Sequence, residues 1–199
     1  MATEIERKFL VNPEKVKELD DANIDHDWGF LEDMYQYYLT DDVRIRVIYA
    51  RQDRFYNSIE YARTYMTMKI KSDNPMVREE IEYEVSHNFY RGLIFLDYPC
   101  INKTRYHMDN KWTIDVFRGL NTGLALAEIE LESEDQEVVL PDWVGEEVTG
   151  NEKYYNSYLV KEPYYNWGNV DCKKCEGDGD LCCMNEDGTC DMFEPKKKE

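Results

Sequence analysis

Long apolar runs are missing from this 199-residue chain. No stretch of 18 consecutive apolar residues occurs, so no membrane-spanning helix is expected. No basic segment followed by an apolar one opens the sequence, so no secretory leader is expected and the cytoplasm is the expected compartment. Histidine is scarce. His26, His87 and His107 lie in different predicted elements, without metal-ligand spacing. Cysteine is nearly absent from the first 160 residues, where Cys100 stands alone, and this suits a reducing compartment. A Walker loop, a dinucleotide fingerprint and a Gly-x-Ser-x-Gly elbow are all lacking, which removes the enzyme classes built on them. Positive charge is the minority, with 24 basic against 42 acidic residues and a net charge of −18. Residues 161–199 contribute −4 of this and the body −14. Such a surface repels nucleic acid and anionic membranes, so neither is an expected partner. Any anion bound here must meet a local concentration of positive charge or a bridging metal.

What is present is alternation. Apolar residues make up 42% of the chain, enough for a packed core, and 16 tyrosines add bulk. Strand patterns appear at 3–11, 33–40, 42–50, 61–71, 78–86, 101–108, 111–118 and 123–132. Thr40-Asp41-Asp42 and Asp109-Asn110-Lys111 read as hairpin turns, and Ser72-Asp73-Asn74-Pro75 as a breaker. Three helices are expected. One follows Asn12-Pro13, with proline in its first turn. A second runs over 89–96 behind a Ser86 cap, and a third spans 151–161. The length suits one domain, residues 1–161, with an appended segment, 162–199.

The charged residues of these strands come in doublets of one sign. Glu4 and Glu6 precede Lys8; then come Arg44 and Arg46, Lys69 and Lys71, Glu80 and Glu82, Lys103 and Arg105, the single Asp115, and Glu128 and Glu130. The intervening residues Ile5, Ile45, Ile70, Ile81, Ile114, Val116 and Ile129 are apolar. Because strand side chains alternate between faces, each strand has one ionic and one apolar face. Any one such strand reads as an ordinary antiparallel strand with its polar face in water. The whole set argues otherwise, because like charges across or along strands are destabilising unless something compensates them. A polyanion would compensate the cations and a divalent metal the carboxylates. Metal-bound phosphate chains carry both. Consecutive strands that close into a barrel leave no free edges. With the ionic rows inward, the lumen must hold water, ions or substrate, because burying so many charges dry is prohibitive.

At this point the chain resembles the CYTH superfamily of triphosphate tunnel metalloenzymes, most of all its short bacterial members. The matching segments are Glu4-Ile-Glu-Arg-Lys-Phe-Leu-Val11, Arg44-Ile-Arg46, Met68-Lys-Ile-Lys71, Arg78-Glu-Glu-Ile-Glu82, Asn102-Lys-Thr-Arg-Tyr106, Thr113-Ile-Asp-Val-Phe117, Leu126-Ala-Glu-Ile-Glu-Leu131 and Trp143-Val-Gly-Glu-Glu-Val-Thr-Gly-Asn-Glu-Lys-Tyr-Tyr-Asn156. They cover about residues 3 to 160 in the expected order. The resemblance implies an α+β fold built on a closed, eight-stranded antiparallel barrel with a few flanking helices. It implies a small-molecule triphosphate substrate and Mg²⁺ or Mn²⁺. Phosphate would be gripped by Lys8, Arg44, Arg46, Lys69, Lys71, Lys103 and Arg105, with Lys153 at the mouth. Metal would be held by Glu4, Glu6, Asp115, Glu128 and Glu130, with Glu80 and Glu82 as supporting acids. Catalysis would centre on Glu4, Glu6 and Lys8, either glutamate orienting or deprotonating the attacking water. The leading expectation is hydrolysis of inorganic tripolyphosphate to pyrophosphate and phosphate. The alternatives are an adenylyl cyclase forming cyclic AMP, and a non-catalytic polyphosphate- or nucleotide-binding module.

Two stretches depart from the family pattern. Residues 51–63 make a longer hairpin, and Tyr37-Tyr38 replace a usual Gly-Tyr pair. The final segment has its own signal, Cys172-x-x-Cys175 followed by Cys182, Cys183 and Cys190. The first pair has the spacing of half a zinc site, but the second half is irregular. Structural Zn²⁺, disulfides and a loose reduced segment are all compatible with it.

Overall fold

The computed structural model describes residues 2–21, 31–51, 61–71, 73–108 and 111–167. Eight strands form the barrel: β1 (Ala2–Val11), β2 (Leu31–Tyr38), β3 (Val43–Arg51), β4 (Tyr61–Lys71), β5 (Val77–Glu84), β6 (Cys100–His107), β7 (Trp112–Phe117) and β8 (Ala125–Glu130). Their order around the wall is β1-β5-β4-β3-β2-β6-β7-β8, with β8 returning to β1. Every pairing is antiparallel. The expected strands all occur, their ends displaced by at most two residues.

A ninth strand, β9 (Val144–Glu147), was not foreseen. Its sequence, Val-Gly-Glu-Glu, is short and lacks apolar alternation. It adds to the edge of β1 that β5 leaves uncovered: Ala2 to Ile5 pair with β5, whereas Phe9 and Val11 pair with β9. Gly145 permits this approach, because a Cβ there would stand 3.1 Å from the Leu10 carbonyl oxygen.

The apolar faces point outward and are covered there. Helix α1 (Pro13–Asp21) begins where the Asn12 carbonyl accepts the Lys15 and Val16 amides. It lays Val16 and Leu19 against Phe9, Trp112, Ile114, Val116, Ala127 and Ile129. Trp143, Val138 and Val144 complete this layer, with Trp112 edge-on to Trp143 at 5.5 Å. Each such buried apolar side chain stabilises the fold by about 1.5–3 kcal/mol. On the opposite wall, α2 (Asn88–Phe95) packs Leu93 over Tyr37 and Ile45. The Ser86 cap is a correction. His87 takes the N-cap place with helical backbone and no side-chain cap bond, while Ser86 Oγ accepts the Asn88 amide at a long 3.4 Å.

The helix expected over 151–161 is also corrected. Asn151 accepts the Lys153 amide and opens a 3-10 turn, Glu152–Tyr154. Tyr155 then turns to extended backbone (φ −77°, ψ 137°), and a single α-turn, α3 (Asn156–Leu159), follows. Leu159 of α3 joins Tyr38, Ile101, Phe117, Leu124, Leu126 and Val148 in an apolar plug at one end of the interior. Tyr164 and Trp167, in the segment assigned to the extension, pack against this plug. All five clustered cysteines, the lengthened part of the β3–β4 hairpin at 52–60 and the Lys71 side chain lie outside the described residues. Among the described residues no helix is long and apolar enough to cross a membrane.

Candidate active site

The barrel encloses a cavity of about 810 Å³. Strand alternation brings one face of each wall strand to it: Glu4, Glu6 and Lys8 of β1, Arg44 and Arg46 of β3, and Lys69 of β4. Arg78, Glu80 and Glu82 of β5, Lys103 and Arg105 of β6, and Glu128 and Glu130 of β8 join them, and Glu32, Asp41, Asp42, Asp73 and Glu152 add further acids. The sequence-predicted charges therefore meet in one lumen, with two exceptions among the described side chains. Asp115 is 1% exposed and stands behind Lys103 and Arg105, outside the lining. Lys153 sits with its ammonium 5.7 Å from the Trp167 ring centroid and does not line the cavity, although Glu152 of the same 3-10 turn does.

The cations are held by graded ion pairs. The Lys8 ammonium lies 2.8 Å from Glu128 and 3.9 Å from Glu6. Burial opposes its charge, but Glu128 and Glu6 outweigh burial and raise its pKa. Arg105 binds Asp115 with two N–H groups at 2.7 and 2.8 Å and reaches Glu128 at 2.7 Å. Lys103 pairs with Asp115 alone. Burial is its largest influence and brings its pKa down to about 8, against the pull of Asp115. Lys69, paired with Glu80, is likewise brought to about 8, by burial first and then by Arg44. For Glu128 burial again opposes ionisation, yet Lys8 and Arg105 hold the carboxyl well below the usual range. Arg46 pairs with Glu82 at 2.6 Å, and Thr67 donates to the same oxygen at 2.7 Å. Glu80 and Glu82 thus brace the basic rows.

Two features point to missing ligands. Among the described residues the Nε donors of Arg44 and Arg46 are buried without a hydrogen-bond partner. Such orphans cost about 1–3 kcal/mol each unless a ligand acceptor meets them. The acids show the complementary imbalance. Glu6 stands directly opposite Glu130 across the β1–β8 ladder, a like-charge pairing that is unfavourable by itself. Among the described residues neither Glu4 nor Glu130 forms an ion pair. Burial first, and then the Glu80 charge, raises the Glu4 pKa to about 7. Oxygen-only carboxylate donors of this kind fit a hard divalent cation such as Mg²⁺ or Mn²⁺. Among the described residues no three acids already converge on a single point, because Lys8, Lys69 and Arg78 are interleaved with them.

Sequence reasoning missed several lining residues. Gln36 is 1% exposed, and its Oε1 accepts from the Tyr38 hydroxyl (3.2 Å), Arg44 Nη1 (3.3 Å) and Asn156 Nδ2 (3.2 Å). Gln36 and Tyr38 share the inward face of β2 with Glu32, and that parity was the available signal. Nothing in the sequence marked Tyr155 and Asn156 as mouth residues.

A closed antiparallel barrel with opposed ionic rows in its lumen defines a charged-lumen barrel fold. The CYTH domain family model matches residues 2–162, and the chain belongs to the CYTH family. It is 35% identical over 172 residues to an inorganic triphosphatase of Acetivibrio thermocellus, covering 84% of this chain and 99% of that protein. It is 31% identical over 169 residues to an inorganic triphosphatase of Nitrosomonas europaea, covering 79% of this chain and 97% of that one. A solved inorganic triphosphatase structure, 29% identical, covers 80% of this chain and 95% of its own, with a TM-score of 0.49. Triphosphatases of this family are metal-dependent.

Proposed function

We propose that this protein is a divalent-metal-dependent triphosphatase, hydrolysing inorganic tripolyphosphate to pyrophosphate and phosphate. The observation that carries this reading is the charge balance of the lumen. Eleven carboxylates and seven cationic side chains line it among the described residues. The acidic excess disfavours a bare triphosphate, and a divalent cation shared between carboxylates and phosphate oxygens would offset that repulsion. The names of the two relatives, both inorganic triphosphatases, support the same substrate.

Arg44 and Arg46 bind non-bridging phosphate oxygens through the Nε groups that lack partners. Lys8, Lys69, Lys103 and Arg105 supply the remaining positive charge and stabilise what develops on the transferred phosphoryl group. Glu4, Glu6, Glu128 and Glu130 would hold the metal, for either Mg²⁺ or Mn²⁺. Bound there, a divalent cation polarises phosphoryl oxygens and lowers the pKa of water. Glu4 orients the attacking water and accepts its proton. Among the described residues it forms no ion pair, as Glu130 does not, and its pKa lies near neutrality. Asp115 acts one step back, holding Lys103 and Arg105 in position.

The test is incubation of purified protein with tripolyphosphate, ATP or thiamine triphosphate, each with Mg²⁺ or Mn²⁺. Phosphate, pyrophosphate and cyclic AMP are measured. Phosphate and pyrophosphate from tripolyphosphate, at a kcat/KM well above that for ATP, is the expected result. Cyclic AMP with pyrophosphate from ATP would establish a cyclase, and no turnover would leave a binding module.

A further inference from the structure

Arg78 was assigned no role by the sequence, and its surroundings give it one. It lines the lumen on β5, directly opposite Glu4 in the β1–β5 ladder. Its Nη1 lies 3.0 Å from Glu6 Oε1. The other side of its guanidinium stands 4.7 Å from the Tyr155 ring centroid. Tyr155 is the residue whose extended backbone interrupts the last helix, and its ring lines the same cavity. Arg78 is therefore held between an acid of the metal-binding row and an aromatic face at the mouth. Glu6 faces Glu130 across the sheet, so some cation must stand near it when no metal does.

We propose that Arg78 is the resident counter-cation of the acidic row. It neutralises Glu6 until a divalent cation takes that carboxylate. Tyr155 then retains the released guanidinium at the lumen wall, where it meets the phosphate chain. The proposal rests on the reading that the glutamates bind metal. Arg78 here is a positioning and substrate-binding residue, and no bond is made or broken at it. A guanidinium suits both stations, because it forks onto oxygen anions and stacks on aromatic faces. A purely structural Arg78–Glu6 bridge closing the β1–β5 seam would behave differently. Its removal would lower stability and leave metal affinity unchanged or weaker.

The experiment is Mn²⁺ titration of the substrate-free, full-length protein by calorimetry or electron paramagnetic resonance, alongside steady-state kinetics on tripolyphosphate. Arg78→Met should bind Mn²⁺ about three- to tenfold more tightly than wild type, since a competing cation has been removed from a partly exposed pair. Its KM should rise at least about tenfold, since a charged phosphate contact is lost. Arg78→Lys, which keeps the charge and covers the case in which Arg78→Met fails to fold, should bind Mn²⁺ within about twofold of wild type while its KM still rises. Tyr155→Leu should raise KM several-fold at unaltered Mn²⁺ affinity, and Tyr155→Phe should recover most of that loss. Unchanged or weaker Mn²⁺ binding by folded Arg78→Met overturns the proposal. If wild type itself binds no Mn²⁺, the acidic-row reading fails and this one falls with it. If wild type binds and Arg78→Met binds equally, only the Arg78 assignment fails.

Discussion

Asp115→Asn should destabilise this protein by about 3–4 kcal/mol at pH 7, and the deficit should shrink as pH rises. Asp115 is 1% exposed and, among the described residues, is the only carboxylate paired with Lys103, itself 1% exposed. Arg105 loses two hydrogen bonds to Asp115 but keeps Glu128 at 2.7 Å. The principal casualty is thus the Lys103 ammonium, buried without a partner. Removing one member of a buried pair costs about 3–5 kcal/mol. Lysine can limit that cost by shedding its proton. An unperturbed lysine titrates near 10.4, so keeping Lys103 neutral at pH 7 costs at most about 4–5 kcal/mol.

That ceiling gives the pH signature. In wild type the folded-state pKa of Lys103 is about 8, below the unfolded value. The stability tied to this depressed pKa is present at high pH and lost as pH falls towards 8. With Asp115 gone the folded pKa should drop below 7. Between pH 7 and 8 the variant then gains about 1 kcal/mol relative to wild type, whose own Lys103 is half deprotonated by about pH 8. Above pH 8 the two curves rise together and the deficit levels off. Urea unfolding at pH 7, 7.5, 8 and 8.5 measures this, and titrations common to both proteins cancel in the difference. Adding Lys103→Met to Asp115→Asn should recover at least about half of the loss, since the unpaired charge is then absent. A deficit below about 1 kcal/mol, or one that widens with pH, would show that water in the lumen already solvates Lys103 and that Asp115 does not position it.

Other perturbations probe other parts of the argument. Glu4→Gln should raise the melting temperature of metal-free protein by a few degrees, because burial and Glu80 both disfavour the charge it removes, yet lower metal-dependent kcat at least about 100-fold. A variant with full turnover would remove Glu4 from the mechanism. Arg44→Lys should cut kcat/KM on tripolyphosphate by about 10- to 100-fold with little loss of fold, because an ammonium cannot supply the Nε donor that lacks a partner. Gly150→Ala should cost about 1–3 kcal/mol in urea unfolding. Its φ of +76° is strained for alanine, and the new Cβ would lie 2.9 Å from Pro75.

The barrel was legible because two periodicities agreed along most of its strands. An isoleucine between two like charges fixes which face is which, and a one-residue slip would exchange ionic and apolar walls. Strand ends therefore landed within two residues even where turns were poorly marked. The lumenal charges were legible for the same reason, since parity alone sends Glu4, Lys69 and Glu128 inward. Depth around the barrel was not. Asp115 shares the parity of a lining residue, yet the β6–β7 register sets it opposite Arg105, whose guanidinium covers it. The last helix was misread because residues 151–161 have helix-compatible composition, whereas tertiary contacts decide the backbone. Asn151 caps early, Tyr155 goes to Arg78 and Asn156 to Gln36, and no uninterrupted helix satisfies all three. Strand β9 escaped because an edge of β1, not its own pattern, holds it in place.

The ion pairs also bear on how metal and phosphate binding are linked. Lys8, Arg105, Lys69, Arg46 and Arg78 each rest on a lumenal carboxylate. The same carboxylates that would hold metal thus neutralise the cations that would hold phosphate. Binding metal alone must displace cations from Glu6 or Glu128, and binding phosphate alone must strip acids of their partners. Only a metal and a polyanion arriving together satisfy both rows at once, because each takes the partner the other releases. Metal and tripolyphosphate should therefore bind with positive coupling, and by linkage each should tighten the other by the same factor. A non-hydrolysable triphosphate analogue titrated with and without Mn²⁺ should show at least about a tenfold difference in affinity. Equal affinities would mean that the acidic and basic rows act independently and that the mutual pairing seen across the lumen is incidental to binding.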